Sequence, residues 1–254
     1  MILFERGRNI RIRLAQPATG ARQSLTELDV SNPTESDVEF ILRAYDSTLP
    51  YLSAIGSEEQ WGTKPFSSRP DTVAKYTIMI DNGYRHHSNF VETGLEHPEQ
   101  SGVFLCEVKY HQQLWTRKAA LQCASSFPDY VPERLADQAT RQAKNYVYLN
   151  SIITDRRAGP LRKRALEALY IFGLVWAQQF DKTMVYGDVW AGNGGSLLQY
   201  YRDLGGTVIG IFDVQDKHGP GMPWTGYLVR KDLPPELGII DLLPKRHGAC
   251  TVRL

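Results

Sequence analysis

The chain has 254 residues, 42% of them hydrophobic, which is enough for one large buried core. Its 29 lysines and arginines nearly balance its 28 aspartates and glutamates, and this balance argues against a nucleic-acid-binding surface. Three widely spaced cysteines without a CxxC pair, and six histidines without partners at ligand spacing, argue against disulfides and a metal site. No apolar run is long enough for a membrane span and no secretory signal is recognisable, so we expect a cytoplasmic protein without a membrane partner.

The N-terminal region predicts a hairpin. Residues 10–14 alternate apolar and charged side chains, as a half-buried strand does. Residues 24–30 form a second strand-like run after a turn that contains Pro17 and Gly20. We expect these two runs to pair with each other, and we interpret residues 1–24 as an N-terminal strand or hairpin extension.

Helices are predicted next. Asn32 followed by proline is typical of a helix start, because asparagine caps the first amides and proline suits the first helical position. Further helices are predicted over residues 51–61 and 72–80, and the second of these is expected to end near Gly83. The polar residues 82–101 predict a loop.

Strands and helices alternate in the rest of the chain. Strands are predicted at 103–108, 118–123, 146–154, 184–190, 208–214 and 226–229. Helices are predicted at 160–180 and 195–204. This order indicates an α/β (α+β) fold around one mixed sheet, in a single domain of residues 1–254 with a C-terminal tail at 234–254.

The strand at 146–154 enters a loop that opens directly onto the helix at Pro160. Such a junction presents free backbone amides and the positive end of a helix dipole, so it is a natural site for an anion. Five cations at a helix N-terminus oppose that dipole and therefore favour an anionic ligand. These cations are Arg156, Arg157, Arg162, Lys163 and Arg164.

Three motifs follow one another in residues 146–206. They are the strand Tyr-Leu-Asn-Ser-Ile-Ile-Thr at 148–154, Asp-Val-Trp-Ala-Gly-Asn at 188–193, and Tyr201 shortly before Leu204-Gly205. In this order and spacing they resemble the GNAT N-acetyltransferase superfamily, and the resemblance extends over residues 25–232. It implies a GNAT-like, mostly antiparallel mixed sheet flanked by helices, and the transfer of an acetyl group from acetyl-CoA to a small amine.

The resemblance also implies roles for individual residues. Backbone groups of the strand would pair with the pantetheine arm of acetyl-CoA, an asparagine would contact that arm, and amides at the start of the helix would hold the pyrophosphate. The implied cofactor-binding residues are Ile152, Ile153, Thr154, Gly159, Arg162, Lys163, Arg164 and Asn193. Tyr201 would protonate the departing CoA thiolate, and the amine would bind near Asn150, Tyr130 and Asp188.

Alternatives remain open for these residues. Leu161 and Lys163 occupy positions where the family usually has glycine, so either the cations of the loop hold the phosphates through their side chains or acetyl-CoA is not used. In the second case the protein would catalyse a CoA-independent lyase, isomerase or cyclase reaction on a small metabolite, or act as a binding or homodimerisation module. Structural roles are the competing interpretation for Tyr201 as a core aromatic, Asn193 as a helix cap and Asp188 as a buried carboxylate.

Overall fold

The computed structural model describes residues 2–6, 9–18, 35–93, 101–110, 114–217, 221 and 223–234. Its strands are β1 (Ile2–Arg6), β2 (Ile10–Leu14), β3 (Gly102–Tyr110), β4 (Leu114–Ala124), β5 (Tyr146–Thr154), β6 (Met184–Trp190), β7 (Thr207–Val214) and β8 (Trp224–Asp232). Its helices are α1 (Asp37–Asp46), α2 (Leu49–Ala54), α3 (Pro70–Thr93), α4 (Gln138–Ala143), α5 (Leu161–Gln179) and α6 (Ser196–Asp203). None of the helices in these ranges is both long and apolar enough to cross a membrane.

The described strands form one eight-stranded sheet in the order β1-β2-β3-β4-β5-β6-β8-β7. Neighbouring strands are antiparallel except β5 and β6, which run parallel because α5 carries the chain from the end of one to the start of the other. The mixed, mostly antiparallel sheet with flanking helices confirms the predicted fold class.

Helices cover both faces of the sheet. On one face, Phe172 and Trp176 of α5 lie with their ring centroids 4.8 and 4.9 Å from that of Phe104 on β3. On the other face, α1 and α3 bury Tyr45 and Ile80 in a second core cluster. Each large apolar side chain buried in this way stabilises the fold by about 1.5–3 kcal/mol, so the two layers together hold the sheet.

A buried network of ion pairs joins the start of α1 to the sheet. Both terminal nitrogens of Arg13 donate to the carboxylate of Asp37, at 2.6 and 2.8 Å. The Nε of Arg13 donates to Glu107 at 2.8 Å, and Nη1 of Arg117 donates to Asp37 at 3.2 Å. These side chains come from β2, β3, β4 and α1, so the network fixes the helix against three strands.

The start of α1 differs from the prediction. Ser36 is the observed N-cap: its side chain accepts from the amide of Glu39, and the Glu39 carboxylate accepts from the Ser36 amide, which is a capping box. Asn32 lies outside the described residues. Glu35 precedes the helix and accepts a hydrogen bond from Nη2 of Arg117 at 3.1 Å.

The predicted hairpin has a different partner. Strand β2 pairs with β1 on one side and with β3 on the other, so both of its edges are occupied. The expected pairing with residues 24–30 is therefore wrong for β2, and residues 24–30 themselves lie outside the described structure, as does the tail from residue 235. The helix predicted over 51–61 is also shorter than expected, because α2 ends at Ala54 and a 3₁₀ turn follows at Glu58–Gln60.

The loop predicted at 82–101 is wrong up to Thr93, because α3 continues to that residue; residues 94–100 lie outside the described structure. Gly83, interpreted as the end of the helix, is instead a point of close approach. A Cβ atom there would lie 3.2 Å from the carbonyl oxygen of Ser101 and 3.3 Å from the Cα of Gly102. The glycine lets the middle of α3 pack directly on the backbone at the start of β3.

Replacing Gly83 with leucine is expected to lower the free energy of unfolding by about 1–3 kcal/mol, because the side chain would push α3 away from the sheet. Intrinsic helix propensity alone predicts the opposite sign. Ala74 lies exposed on the same helix, so Ala74→Leu is the matched control and should change stability by less than about 0.5 kcal/mol. Urea unfolding measures both values, and equal effects of the two substitutions would contradict the close approach.

Candidate functional site

Strands β5 and β6 separate halfway along their length. They pair from Tyr146 and Met184 to Leu149 and Gly187. Beyond that point β5 remains paired only with β4, and β6 only with β8. The edge of β5 that faces β6 therefore offers backbone donors and acceptors that the sheet does not use.

A β-bulge in β5 lies where the strands part. Gln122 of β4 is opposite Ser151, but Cys123 is opposite Leu149, so Asn150 is the extra residue. Past the bulge, Ile153 packs with the α1 and α3 cluster, whereas Ile152 packs against the α5 cluster. The Oδ1 atom of Asn150 is buried without a hydrogen-bond partner in the described structure, so it remains available to a ligand or a water molecule.

The gap opens into a cavity of about 820 Å³ that reaches both faces of the sheet. Residues 149–154 of β5 and 185–190 of β6 form its middle. Side chains of α1, α2 and α3 line one end, and side chains of α5 and α6 line the other. A volume of this size is typical of a small-molecule site.

Asp188 is the centre of a hydrogen-bonded cluster in this cavity. Its Oδ1 accepts from the hydroxyl of Tyr148 at 2.5 Å and from that of Tyr130 at 3.1 Å. Its Oδ2 accepts from Nζ of Lys217 at 2.8 Å, and the Asp188 side chain is only 6% exposed. The ammonium of Lys217 also lies 3.3 Å from the ring centroid of Trp224.

The surroundings of the cluster shift its proton affinities. Burial and the negative charge of Asp188 raise the pKa of both the Tyr130 and the Tyr148 hydroxyls. Burial lowers the pKa of Lys217, although Asp188 opposes that shift. The two tyrosines thus stay protonated at neutral pH and donate to Asp188, which is the sole carboxylate among the described residues that line the cavity.

Tyr45 and Tyr76 lie on the wall formed by α1 and α3. The Tyr76 hydroxyl donates to the Tyr45 hydroxyl at 2.9 Å. Burial raises the pKa of both groups, and a hydrogen bond with Ser151 opposes the shift. This pair places polar hydroxyls beside the bulge, on a wall that also carries aromatic rings.

Tyr201 lines the opposite end of the cavity, on α6. Its ring centroid lies 6.1 Å from that of Tyr170 and 5.4 Å from that of Tyr200. Burial, followed by the neighbouring tyrosines, raises the pKa of its hydroxyl. Tyr201 therefore keeps its proton at neutral pH and can donate a hydrogen bond into the gap.

The loop between β5 and α5 uses many of its own amides. The amide of Arg157 donates to the Asp155 carboxylate at 2.9 Å, and the amide of Gly159 donates to the carbonyl of Arg156 at 3.3 Å. The amides of Arg162 and Lys163 each donate to a backbone carbonyl at 3.3 Å. The cavity lining includes Arg156 from this loop, but not Gly159, Arg162, Lys163 or Arg164.

Asn193 is exposed in the 3₁₀ turn before α6 and does not line the cavity. Its Nδ2 donates to the hydroxyl oxygen of Ser196 at 3.2 Å. The N-cap residue of α6 is Gly195. The side chain of Asn193 therefore supports the turn that leads into α6.

The structure brings together along one cavity the residues Asn150, Ile152, Ile153, Thr154, Tyr130, Asp188 and Tyr201. It places Gly159, Arg162, Lys163, Arg164 and Asn193 outside that lining. Sequence reasoning missed Lys75, Lys217, Trp61 and Trp224, which line the cavity, and Tyr148, which donates to Asp188. For Tyr148 the sequence offered one signal, its position in the strand two residues before Asn150. Lys217 follows β7 in a turn, where no periodic pattern could have indicated its role.

Among the residues that the structure describes, no group of three or more histidine, cysteine, aspartate or glutamate side chains is placed to hold a metal ion. Cys106 and Cys123 are buried and unpaired. Burial raises the pKa of the Cys106 thiol to about 12, so it is protonated at neutral pH.

Neither a protein-family model nor a curated protein sequence matches the chain. Among solved structures, it is similar to an N-acetyltransferase from Staphylococcus aureus Mu50, with 14% identity over 88% of this chain and 98% of that one and a TM-score of 0.45. It is also similar to a Salmonella typhimurium protein with its cofactor acetyl-CoA (14% identity, 93% and 98% coverage, TM-score 0.46). A third is a ribosomal-protein alanine acetyltransferase from Vibrio fischeri (10% identity, 91% and 96% coverage, TM-score 0.48). The sheet of the chain itself is mixed and mostly antiparallel, with β5 and β6 splayed, which is the sheet architecture expected from the sequence.

Proposed function

We propose that the protein is an acetyl-CoA-dependent N-acetyltransferase that acts on a small amine by direct transfer. The observation that carries the proposal is the gap between β5 and β6. It joins the cavity end that holds a protonated tyrosine, Tyr201, to the carboxylate of Asp188 in the middle of the cavity. Amine acylation needs an acid and a base of this kind.

The free edge of β5 suits the pantetheine arm, because an extended chain with amide groups can pair with Ile152, Ile153 and Thr154 as an added strand. The phosphates of acetyl-CoA would have to be bound by groups other than backbone amides. Since the loop amides of Gly159, Arg162 and Lys163 are already used, side-chain cations of the loop would hold the phosphates. When bound, acetyl-CoA supplies an activated acetyl thioester.

The protein's own groups would then manage the protons. An alkylamine has a pKa of about 10, so it is protonated at neutral pH and must lose a proton before it can attack. Asp188 would receive that proton, while the hydroxyls of Tyr130 and Tyr148 hold its Oδ1 in position. At the α6 end of the cavity, the hydroxyl of Tyr201 would give its proton to the leaving thiolate sulfur. No covalent link between the protein and the acetyl group is required.

The proposal is tested with acetyl-CoA and Tyr201→Phe. Acetyl-CoA at about 100 times its Kd should stabilise the protein by about 2.7 kcal/mol, seen as a rise in Tm. Tyr201→Phe should lower kcat by roughly 10²-fold and leave the rise in Tm with acetyl-CoA almost unchanged. The effect on kcat is at the low end of the range for loss of a general acid, because a thiolate leaves readily. Tyr227 packs in the same core cluster without lining the cavity, so Tyr227→Phe is the control.

If millimolar acetyl-CoA does not raise Tm and no amine in a panel is acetylated, the proposal is contradicted.

One observation favours a second function, a CoA-independent lyase, isomerase or cyclase reaction in the same cavity. That observation is the loop, whose amides are satisfied internally and whose usual glycine positions carry Leu161 and Lys163. A crystal soaked with CoA separates the two functions, since CoA in the β5–β6 gap would refute the second.

A further inference from the structure

The cavity wall formed by α1, α2 and α3 and by the Asp188 cluster is positively charged. Four cationic side chains line it, against Asp188 as the single carboxylate. The charge of Asp188 is offset by Lys217 at 2.8 Å and by two tyrosine hydroxyls. The cations are Arg69, Lys75, Arg156 and Lys217. A cavity with this balance attracts anions and repels ligands with several positive charges.

The helical spacing of α3 puts Lys75 on the face of the helix that lines this wall. Thr72, Lys75 and Tyr76 are three and four residues apart, so they share one face of the helix, and all of them line the cavity. No carboxylate of the described residues lies at ion-pair distance from Lys75. Burial lowers the pKa of Lys217, and the positive charge of Lys75 adds to that shift. The two ammonium groups therefore face a common space without enough negative charge between them.

Arg69 adds a donor without a partner. Its Nη2 donates to the carbonyl oxygens of Lys64 and, at 3.4 Å, of Trp61, and its guanidinium carbon lies 4.2 Å from the Phe66 ring centroid. Its Nε is buried and donates to no group in the described structure. A buried donor without an acceptor is unfavourable unless a ligand or water supplies one.

The same wall is aromatic. The ring centroid of Tyr45 lies 4.6 Å from that of Phe66, with the rings stacked, and 5.2 Å from that of Trp61. Arg156 covers the ring of Tyr51, with 3.3 Å between its guanidinium carbon and the ring centroid. These rings present flat apolar surface beside the cations.

We infer that this end of the cavity binds a ligand with a carboxylate beside an apolar, ring-bearing group. The carboxylate would lie between Lys75 and Lys217 and the ring against Tyr45, Trp61 and Phe66. If the ligand is the acceptor of the proposed transfer, it is an amine that also carries a carboxylate. Only this identification of the ligand as the acceptor rests on the proposed function.

Three probes of equal length and different charge test the inference by titration calorimetry without acetyl-CoA. They are 3-phenylpropionate, its neutral amide and 3-phenylpropylamine. At low salt the acid should bind about tenfold more tightly than the amide, because charge-assisted hydrogen bonds contribute more than neutral ones. The amine should bind most weakly. Lys75→Met should reduce the preference for acid over amide by at least about threefold, as expected for the loss of one exposed charge.

Lys64 is an exposed lysine near this wall that does not line the cavity, so Lys64→Met should leave the preference unchanged. Equal binding of acid and amide, tighter binding of the amine, no saturable binding by the three probes, or an undiminished preference in Lys75→Met would each overturn the inference. Since acetyl-CoA is absent, carboxylate binding with no acetyl transfer would remove the proposed function and leave the inference standing. Acetyl transfer by a protein that shows no preference for the carboxylate would support the proposed function and overturn the inference.

Discussion

Replacing Asp188 with asparagine is expected to lower kcat/KM for acetyl transfer by about 10³-fold, in the middle of the range for loss of a general base. Asparagine keeps an oxygen that can accept from Tyr148 and Tyr130, so the shape of the cluster is retained. What is lost is the ability to receive a proton. The measurement is steady-state turnover with the amine found in the acetyl-transfer screen.

The same substitution is expected to reduce stability, because it leaves the Lys217 ammonium buried without its carboxylate. The side chain of Lys217 is 14% exposed, and breaking a buried pair on one side costs about 3–5 kcal/mol. The double variant Asp188→Asn with Lys217→Met removes both charges and should recover most of the free energy of unfolding.

The double variant separates chemistry from folding. Stability should return while turnover stays at the level of the single variant. Return of turnover together with stability would show that Asp188 acts only as a structural carboxylate, which is the competing interpretation that the sequence leaves open.

Asp37→Ala is expected to lower the free energy of unfolding at pH 7 by about 3–5 kcal/mol, because Arg13 and Arg117 are left charged and buried. That is a large part of the roughly 5–15 kcal/mol that stabilises a typical domain. The matched control is Asp232→Ala, which breaks the exposed ion pair with Arg230 and should change stability by less than about 1 kcal/mol.

Asp37 should also shape the acid side of the stability curve. Burial opposes ionisation of its carboxyl group, but the charge and hydrogen bonds of Arg13 outweigh burial and lower its pKa below the ordinary value of 3.8. Below that value the unfolded chain binds the proton more readily than the folded one, so stability falls as the pH falls. Its contribution is complete above about pH 5 and is lost as the pH drops through the folded pKa.

Urea unfolding at pH 7 and at pH 3 measures this contribution. The difference in stability between the wild-type protein and Asp37→Ala should shrink at the lower pH. A difference that stays constant would mean that Asp37 does not titrate in that window. The Asp232→Ala variant should follow the wild type at both pH values.

The central strands could be predicted from the sequence because their local signal is strong. The ranges 146–154 and 184–190 coincide with β5 and β6, since both are apolar runs that end in turn residues. The side-chain directions in β5 could not be predicted. Strict alternation puts Ile152 on the face of Tyr148, but the bulge at Asn150 moves it to the other face, and a bulge is set by the register with β4.

The misses have a common physical cause, which is contact between residues distant in the sequence. Gly83 signals a helix end locally, yet it serves a contact with the start of β3. Lys217 belongs to the site because β7 and β8 bring its turn to β6. The start of α1 follows from its ion pairs with the sheet as well as from its cap. None of these contacts leaves a periodic pattern in the sequence.

The cavity passes between β5 and β6 and has a wall on each face of the sheet. Two molecules can therefore enter from opposite directions and meet end to end, and neither has to depart before the other arrives. For a two-substrate reaction this geometry permits a ternary complex, and we expect double-reciprocal plots at several fixed concentrations of the second substrate to intersect rather than run parallel.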